Sequence, residues 1–309
     1  MKSGIILAGG KAERFGSDKA LAELNGEVLI KHVHSALSES VDRVFICVDS
    51  EERIRKYRFL KDDITEFVVD MAEDFSRGPL RGILTGARNI EGEYFLVTST
   101  DIPFIKPEAI DILFKKAQNV EAVLPVWSTG VLEPLFAVYS QKAVERISDY
   151  MHRYSTTTGK NPWAIDLIRS LDKISLIEVR NIDSTLGSFI NINTKDVLES
   201  LNYTGAEKAD KHVRGNGSDR ILENKPASNF FRKGIEYEIR ACIDSDKSLY
   251  NAAAQYFRKE ADFYYRNDIL FLAARAGMSE YLCYERAAQL SKNEYSSLFQ
   301  RIGIRKKKT

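Results

Sequence analysis

From residue 1 to about 200, short β-branched runs alternate with helical segments, the order that produces a largely parallel sheet covered on both faces. The strand candidates are "GIILA" (4–8), "RVFICV" (43–48), "TEFVVD" (65–70), "EYFLVTST" (93–100), "EAVLPV" (121–126) and "PLFAVYS" (134–140). Helices fill the gaps. "IKHVHSALSES" has apolar residues at Ile30, Val33, Ala36 and Leu37, a helical stripe, and "KPEAIDILFKKAQ" opens with Pro107 at a first helical position. The fold class expected for this part is α/β.

The pattern fails between about Asn202 and Asn229, where "NYTGAEKADKHVRGNGSDRILENKPASN" is polar, rich in Gly, Ser and Asn, and without apolar period. A linker is expected there. Beyond it the helical spacing returns: Phe231, Ile235, Ile239 and Cys242, then Leu249, Ala253, Tyr256 and Phe257, then Leu272, Ala276, Cys283 and Ala287. The expected organisation is an α/β domain over 1–202, a linker over 203–229 and a small all-α domain over 230–309.

Composition limits the partners. Lys and Arg total 45 against 44 Asp and Glu, so overall charge points to neither nucleic acid nor an anionic membrane. A small-molecule partner is expected. Cys47, Cys242 and Cys283 are far apart and follow no metal or redox spacing, and His32, His34, His152 and His212 form no metal pattern either. Only Met1 to Gly4 precede the first apolar run, and no run approaches the roughly 18 residues of a membrane span. The expected compartment is the cytoplasm.

The first strand runs straight into Gly9-Gly10, and a strand-to-helix turn without Cβ atoms brings backbone N–H groups close to a ligand above the sheet. The spacing is not that of a dinucleotide fingerprint, since Gly9 and Gly10 are adjacent and the next glycine is Gly16. It is not that of a P-loop either, because five residues separate Gly10 from Gly16 and Ser17-Asp18 follow. What remains is a loop carrying two cations, Arg14 and Lys19, able to offset the negative charge of a triphosphate.

"LAGGKAERFGSDKALAELNG" resembles the signature L-A-G-G-x-x-x-R-(F/M)-G-x-D-K of the molybdenum cofactor guanylyltransferases, within the wider group of α/β nucleotidyltransferases. Four later segments resemble the family in order: "RGPLRGILTGAR", "TSTDIPFI", "EPLFAVY" and "FININTKDVLESL". The resemblance covers about residues 1 to 202. It implies a three-layer Rossmann-like nucleotidyltransferase domain of the nucleotide-diphospho-sugar transferase type, and transfer of GMP from GTP to molybdopterin with release of pyrophosphate. It further implies that Leu7, Ala8, Gly9 and Gly10 lie against the nucleotide, that Lys19 meets the phosphates and that Asp70 contacts the nucleotide. Asp101 would hold Mg2+, and Asn191 and Asn193 would meet the molybdopterin. The family's asparagine at the end of the second strand falls at or near Cys47, so that contact is missing or is replaced by Asp49.

The chemistry agrees with these assignments. Joining a nucleoside triphosphate to an acceptor phosphate brings two anions together, so cations and positioning matter more than a nucleophilic side chain. Arg14, Lys19 and Asp101 are the candidate catalytic residues, and Asp101 lies at the carboxyl end of its strand, where open α/β sheets bind ligands. Asp70 is able to accept from guanine N1–H and N2–H together; its alternative is a helix N-cap. Asn191 and Asn193 alternate along an expected strand and share one face, suited to a pterin edge or, alternatively, to stabilising a turn. The rival readings are transfer to a sugar phosphate or other small phosphate, and a non-catalytic nucleotide-binding scaffold or sensor. The helical domain would recruit an acceptor apoenzyme or a second copy of the chain.

Overall fold

Ile5 and Ile6, adjacent in the first strand, are both fully buried, which requires a strand covered on both faces. The computed structural model describes residues 1–10, 15–16, 18–70, 78–204 and 219–301, with 203–204 and 292–301 as backbone only. The chain divides into two compact units, Met1–His152 with Asn161–Asn224, and Arg153–Lys160 with Lys225–Thr309.

The first unit runs β1 (Ser3–Leu7), β2 (Glu23–Leu24), β3 (Glu27–Val28), α1 (Leu29–Ser38), β4 (Arg43–Val48), α2 (Glu51–Tyr57), β5 (Thr65–Val69), α3 (Pro79–Ala87) and β6 (Tyr94–Ser99). It continues through α4 (Pro107–Lys115), β7 (Ala122–Val126), β8 (Ala137–Ser140), α5 (Gln141–Thr158), α6 (Ala164–Ser170), β9 (Lys173–Glu178), α7 (Val179–Ile182), α8 (Lys195–Thr204) and β10 (Arg220–Glu223). All six strands expected from the sequence are present, as are the two helices. One sheet has the order β10-β9-β7-β8-β6-β1-β4-β5. It is mixed rather than nearly all parallel. β6, β1, β4 and β5 are parallel neighbours, while β8 pairs antiparallel with both β6 and β7.

Alternation along the strands divides the core. Ile6, Val44, Ile46, Leu96, Val123 and Val138 join Val33 and Leu37 of α1 and Ile110 and Leu113 of α4 in one cluster. The opposite face receives α3 at close range. A Cβ on Gly82 would lie 2.7 Å from Leu7 Cδ2, and one on Gly86 would lie 2.6 Å from Ile5 Cδ1 and 2.9 Å from Cys47 Sγ. Two glycines one helical turn apart therefore let the helix sink onto β1 and β4, giving the three expected layers.

The expected linker requires correction. Within 203–229, α8 extends to Thr204, β10 pairs antiparallel with β9, and a helix begins at Lys225; residues 205–218 lie outside the described residues. β10 leaves no apolar period because it is an edge strand with only Leu222 buried. β9, likewise unforeseen, is parallel to β7 and buried from Ile174 to Glu178.

The second unit contains α9 (Lys225–Asp244), α10 (Lys247–Arg266) and α11 (Leu270–Arg301). Asp246 caps α10 by accepting from Ser248 N–H at 2.7 Å. Of the helical positions picked out in the sequence, Cys242, Leu249 and Tyr256 are partly exposed and the rest are buried. Gly234 admits the Phe257 ring, whose Cε1 would be 2.6 Å from an added Cβ. The buried Glu238 carboxylate accepts from Tyr154 Oη at 3.0 Å and from Lys160 Nζ. No helix among the described residues is long and apolar enough to cross a membrane.

Gly86→Ala should destabilise the first unit by about 1–3 kcal/mol, the usual range for overpacking, because Ile5 and Cys47 belong to a close-packed interior. Chemical denaturation followed by circular dichroism would register a lower midpoint; an unchanged midpoint would mean that α3 can lift from the sheet at little cost.

Candidate active site

The four parallel strands end on the same edge, and a candidate residue follows each: Gly9 after β1, Asp49 after β4, Asp70 after β5 and Asp101 after β6. A Cβ at Gly9 would stand 3.1 Å from Asp49 N and 3.3 Å from Asp70 Oδ2, so the missing side chain is what lets the β1 turn lie against its neighbours. Asp70 continues the ladder through its N–H to Val48 O, 2.7 Å. Its Oδ1 is buried without a hydrogen-bond partner among the described residues. Burial pushes the carboxyl up to about 6; Arg81 opposes the shift and Asp49 adds to it. Such an orphaned acceptor beside a side-chain-free turn is suited to a ligand that brings its own donors.

The second half of the site is assembled from distant parts of the chain. Lys19 Nζ lies 3.1 Å from Asp101 Oδ2 and 3.4 Å from Asn193 Oδ1. Ser99 Oγ donates to the other carboxylate oxygen of Asp101. A separate small apolar cluster accounts for this meeting: Phe15, Leu24 and Leu29 pack with Ile192, Leu198 and Leu201. Asn25-Gly26, both at positive φ, form the tight turn between β2 and β3 that sets Leu24 in that cluster. Ile192 N–H also donates to Asp101 O at 2.8 Å. Residues 191–193 form no strand, contrary to expectation, since this one backbone bond replaces a ladder. The alternation survives all the same, with Ile192 buried between exposed Asn191 and Asn193.

Leu7, Ala8, Gly9 and Gly10 form the strand end and turn, with Ala8 N–H bonded to Cys47 O at 2.8 Å. Arg14 lies outside the described residues. Cys47 is 1% exposed and turned towards α3, where its Sγ faces Gly86, so it offers no ligand contact. Asp49 is engaged by Arg53 Nε at 2.8 Å. Three groups were not anticipated. Arg53 and Tyr57 of α2 converge on Asp18, a residue quoted in the first motif without a role. Glu133, whose Oε1 accepts from Trp127 Nε1 at 2.6 Å, is held above its ordinary value by burial and by the nearby Asp101 charge, against the Trp127 bond.

No three His, Cys, Asp or Glu residues gather as a metal cage among the described residues. Asp101 nevertheless supplies a hard oxygen donor at the strand edge, with Glu133 in its field. That donor set fits a magnesium-like ion, which takes one or two protein carboxylates and completes its shell with phosphates and water.

The MobA-like NTP transferase domain family matches residues 4–163, just over half of the chain. The chain belongs to that family. It is accordingly a nucleotidyltransferase. A relative from Methanosarcina mazei, described as a "probable molybdenum cofactor guanylyltransferase", is 33% identical over 214 residues, covering 67% of this chain and 92% of its own. A similarly described relative from Methanosarcina acetivorans is 34% identical over 209 residues, covering 65% and 89%. The crystal structure of molybdopterin-guanine dinucleotide biosynthesis protein A from Archaeoglobus fulgidus superposes with a TM-score of 0.52 at 25% identity, covering 65% of this chain and 97% of that one. The family match falls mostly within the α/β unit and leaves α9, α10 and α11 outside it.

Because the folded protein retains the Asp70 proton up to about pH 6 and an unfolded chain releases it near its ordinary value of 3.8, ionised Asp70 lowers stability as pH rises through this interval. Asp70→Asn should therefore be more stable than wild type at pH 7.5, by about 1–2 kcal/mol after allowance for solvent screening, with the difference vanishing near pH 4. Denaturation midpoints at the two pH values measure it; a difference independent of pH would mean the carboxylate is well solvated.

Proposed function

We propose that this chain transfers the GMP moiety of GTP to the phosphate of molybdopterin and releases pyrophosphate, with Mg2+ as the divalent ion. The observation that carries the reading is the convergence of Lys19, Asp101 and Asn193 beside the Gly9–Asp70 cradle. The names of the Methanosarcina relatives support the same pair of substrates.

In this reading the guanine edge lies over Gly9 and donates N1–H and N2–H to Asp70, whose unpartnered oxygen needs donors. A cytosine or uracil edge lacks this pair of donors. Lys19 turns its ammonium to the triphosphate and draws charge from it, while Asp101 and Asn193 fix where that ammonium sits. The acceptor phosphate oxygen attacks the α-phosphorus in line, a new P–O bond forms, and the bond to the β-phosphate oxygen breaks so that pyrophosphate leaves with the electron pair. When bound at Asp101, Mg2+ supplies further neutralisation of the phosphate charge. Asn191 and Asn193 offer amide donors and acceptors to the pterin, and Arg14 adds a second cation at the phosphates.

Pyrophosphate release in the presence of molybdopterin should be fastest with GTP among GTP, CTP, UTP and ATP; equal rates with CTP would overturn the guanine assignment. Asp101→Asn should lower turnover by about 100-fold or more while leaving the fold intact, as removal of a comparable electrostatic contribution does. Undiminished turnover would exclude Asp101 from the reaction.

Affinity for GTP should fall as pH drops through about 6, because protonated Asp70 can no longer accept both guanine donors. Titrations from pH 5 to 8 with wild type and Asp70→Asn separate this from the nucleotide's own ionisation. Identical profiles for the two proteins would remove Asp70 from base recognition.

A further inference from the structure

α2 contributes a guanidinium that touches both ends of the glycine-rich loop. Arg53 Nη1 is 3.2 Å from Ala8 O, and Nη2 is 2.8 Å from Gly10 O. On the far side of the loop the same Nη1 is 3.3 Å from Asp18 Oδ1 and 3.0 Å from Tyr57 Oη. Nε pairs with Asp49 Oδ1 at 2.8 Å. Tyr57 Oη in turn lies 2.9 and 2.8 Å from the two oxygens of Asp18. Asp18 caps the short helical turn Lys19–Leu21 by accepting from Ala20 N–H at 3.2 Å. The Arg53 side chain is 15% exposed, and every one of its guanidinium nitrogens is directed to a protein acceptor.

The consequences for the loop follow from peptide geometry. With Ala8 O turned to Arg53, the trans peptide directs Gly9 N–H the opposite way, away from the guanidinium. At the other end, holding Asp18 fixes the start of the turn that carries Lys19. Entrance and exit of the loop are thus referred to one planar group. A lysine at position 53 would keep the charge but could not span these acceptors, because its donors radiate from a single atom. The same guanidinium lies between the carboxylates of Asp18 and Asp49, and so neutralises charge that would otherwise oppose an incoming polyphosphate.

We propose that Arg53 is a positioning residue for nucleotidyl transfer, clamping both ends of the phosphate-binding loop so that Gly9 N–H and Lys19 are set for the triphosphate, with Asp18 and Tyr57 completing the clamp. The inference rests on the reading above that this loop holds the triphosphate. Arg53 itself needs no contact with substrate, since each of its nitrogens already has a protein acceptor. Its loss should be felt at the phosphates more than at the base.

The test compares GTP and GMP binding by calorimetry, and pyrophosphate release, in wild type, Arg53→Lys, Tyr57→Phe and Lys19→Ala. Arg53→Lys should weaken GTP binding by about 10-fold or more and lower kcat, with GMP binding changed by less than about 3-fold, because a bidentate site is lost while charge is kept. Tyr57→Phe should give a smaller loss in the same direction and decides the matter if Arg53→Lys fails to fold. Wild-type GTP binding and turnover in a folded Arg53→Lys protein would overturn the clamp, as would equal losses for GTP and GMP, the pattern of a merely structural residue. If Lys19→Ala leaves GTP affinity unchanged, the underlying assignment of the loop fails instead; a loss in Lys19→Ala without one in Arg53→Lys rejects the clamp alone.

Discussion

One backbone hydrogen bond, from Ile192 N–H to the carbonyl of Asp101, joins the end of β6 to a segment about ninety residues further along the chain. Around it, Phe15 from the first motif and Ile192, Leu198 and Leu201 from the last close a small apolar cluster. The polar site depends on this contact. Lys19 follows Phe15 by four residues, Asn193 follows Ile192 by one, and Asp101 is the residue whose carbonyl is bonded. Burial of hydrocarbon, which has no directional preference, thereby sets Lys19 within hydrogen-bond reach of both Asp101 and Asn193.

The charges of the site are arranged for a visitor rather than for the free protein. Lys19 and Asp101 are largely buried, and a pair in that setting recovers in mutual attraction about what it loses in hydration, so it contributes little net stability. Asp70, with an oxygen that has no partner among the described residues and an elevated carboxyl, is unfavourable in isolation. Asp183 presents the opposite case. Burial alone would raise its carboxyl, yet Lys106, Ser188 and Thr185 together hold it far below the ordinary range. That fully satisfied carboxylate secures the turn before residue 190, whereas the incompletely satisfied one lies at the strand edge where ligand is expected. The contrast separates a structural aspartate from one proposed to bind ligand more clearly than exposure does.

Much of this was legible in the sequence. Gly9, Lys19 and Asp101 stood out because a strand ending in glycine, a nearby cation and a strand-end carboxylate each leave a local mark, and Asn193 was found through resemblance. Arg53 left none. Read along α2, it is one basic residue in "SEERIRKY", and its acceptors at Ala8, Gly10 and Asp18 are supplied by the folded loop more than thirty residues earlier. β10 escaped for a different reason: an edge strand with one buried side chain has no period to detect. Cys47 was recognised as standing at or near the place of the family's asparagine, but only the approach of Gly86 reveals that it faces away from the ligand edge.

The boundary between the two units crosses α5, since Arg153–Lys160 is grouped with the C-terminal helices although the chain later returns to the sheet. Tyr154, Thr157 and Lys160 supply bonds to Glu238 and Cys242 of α9. The helical unit is consequently discontinuous in sequence, and no single scission of the chain yields both units whole. Removing everything after Asn224 would strip Tyr154 and Lys160 of their partners and leave the end of α5 unsupported. The C-terminal helices therefore form one unit together with the last residues of α5, and not by their own stretch of chain alone.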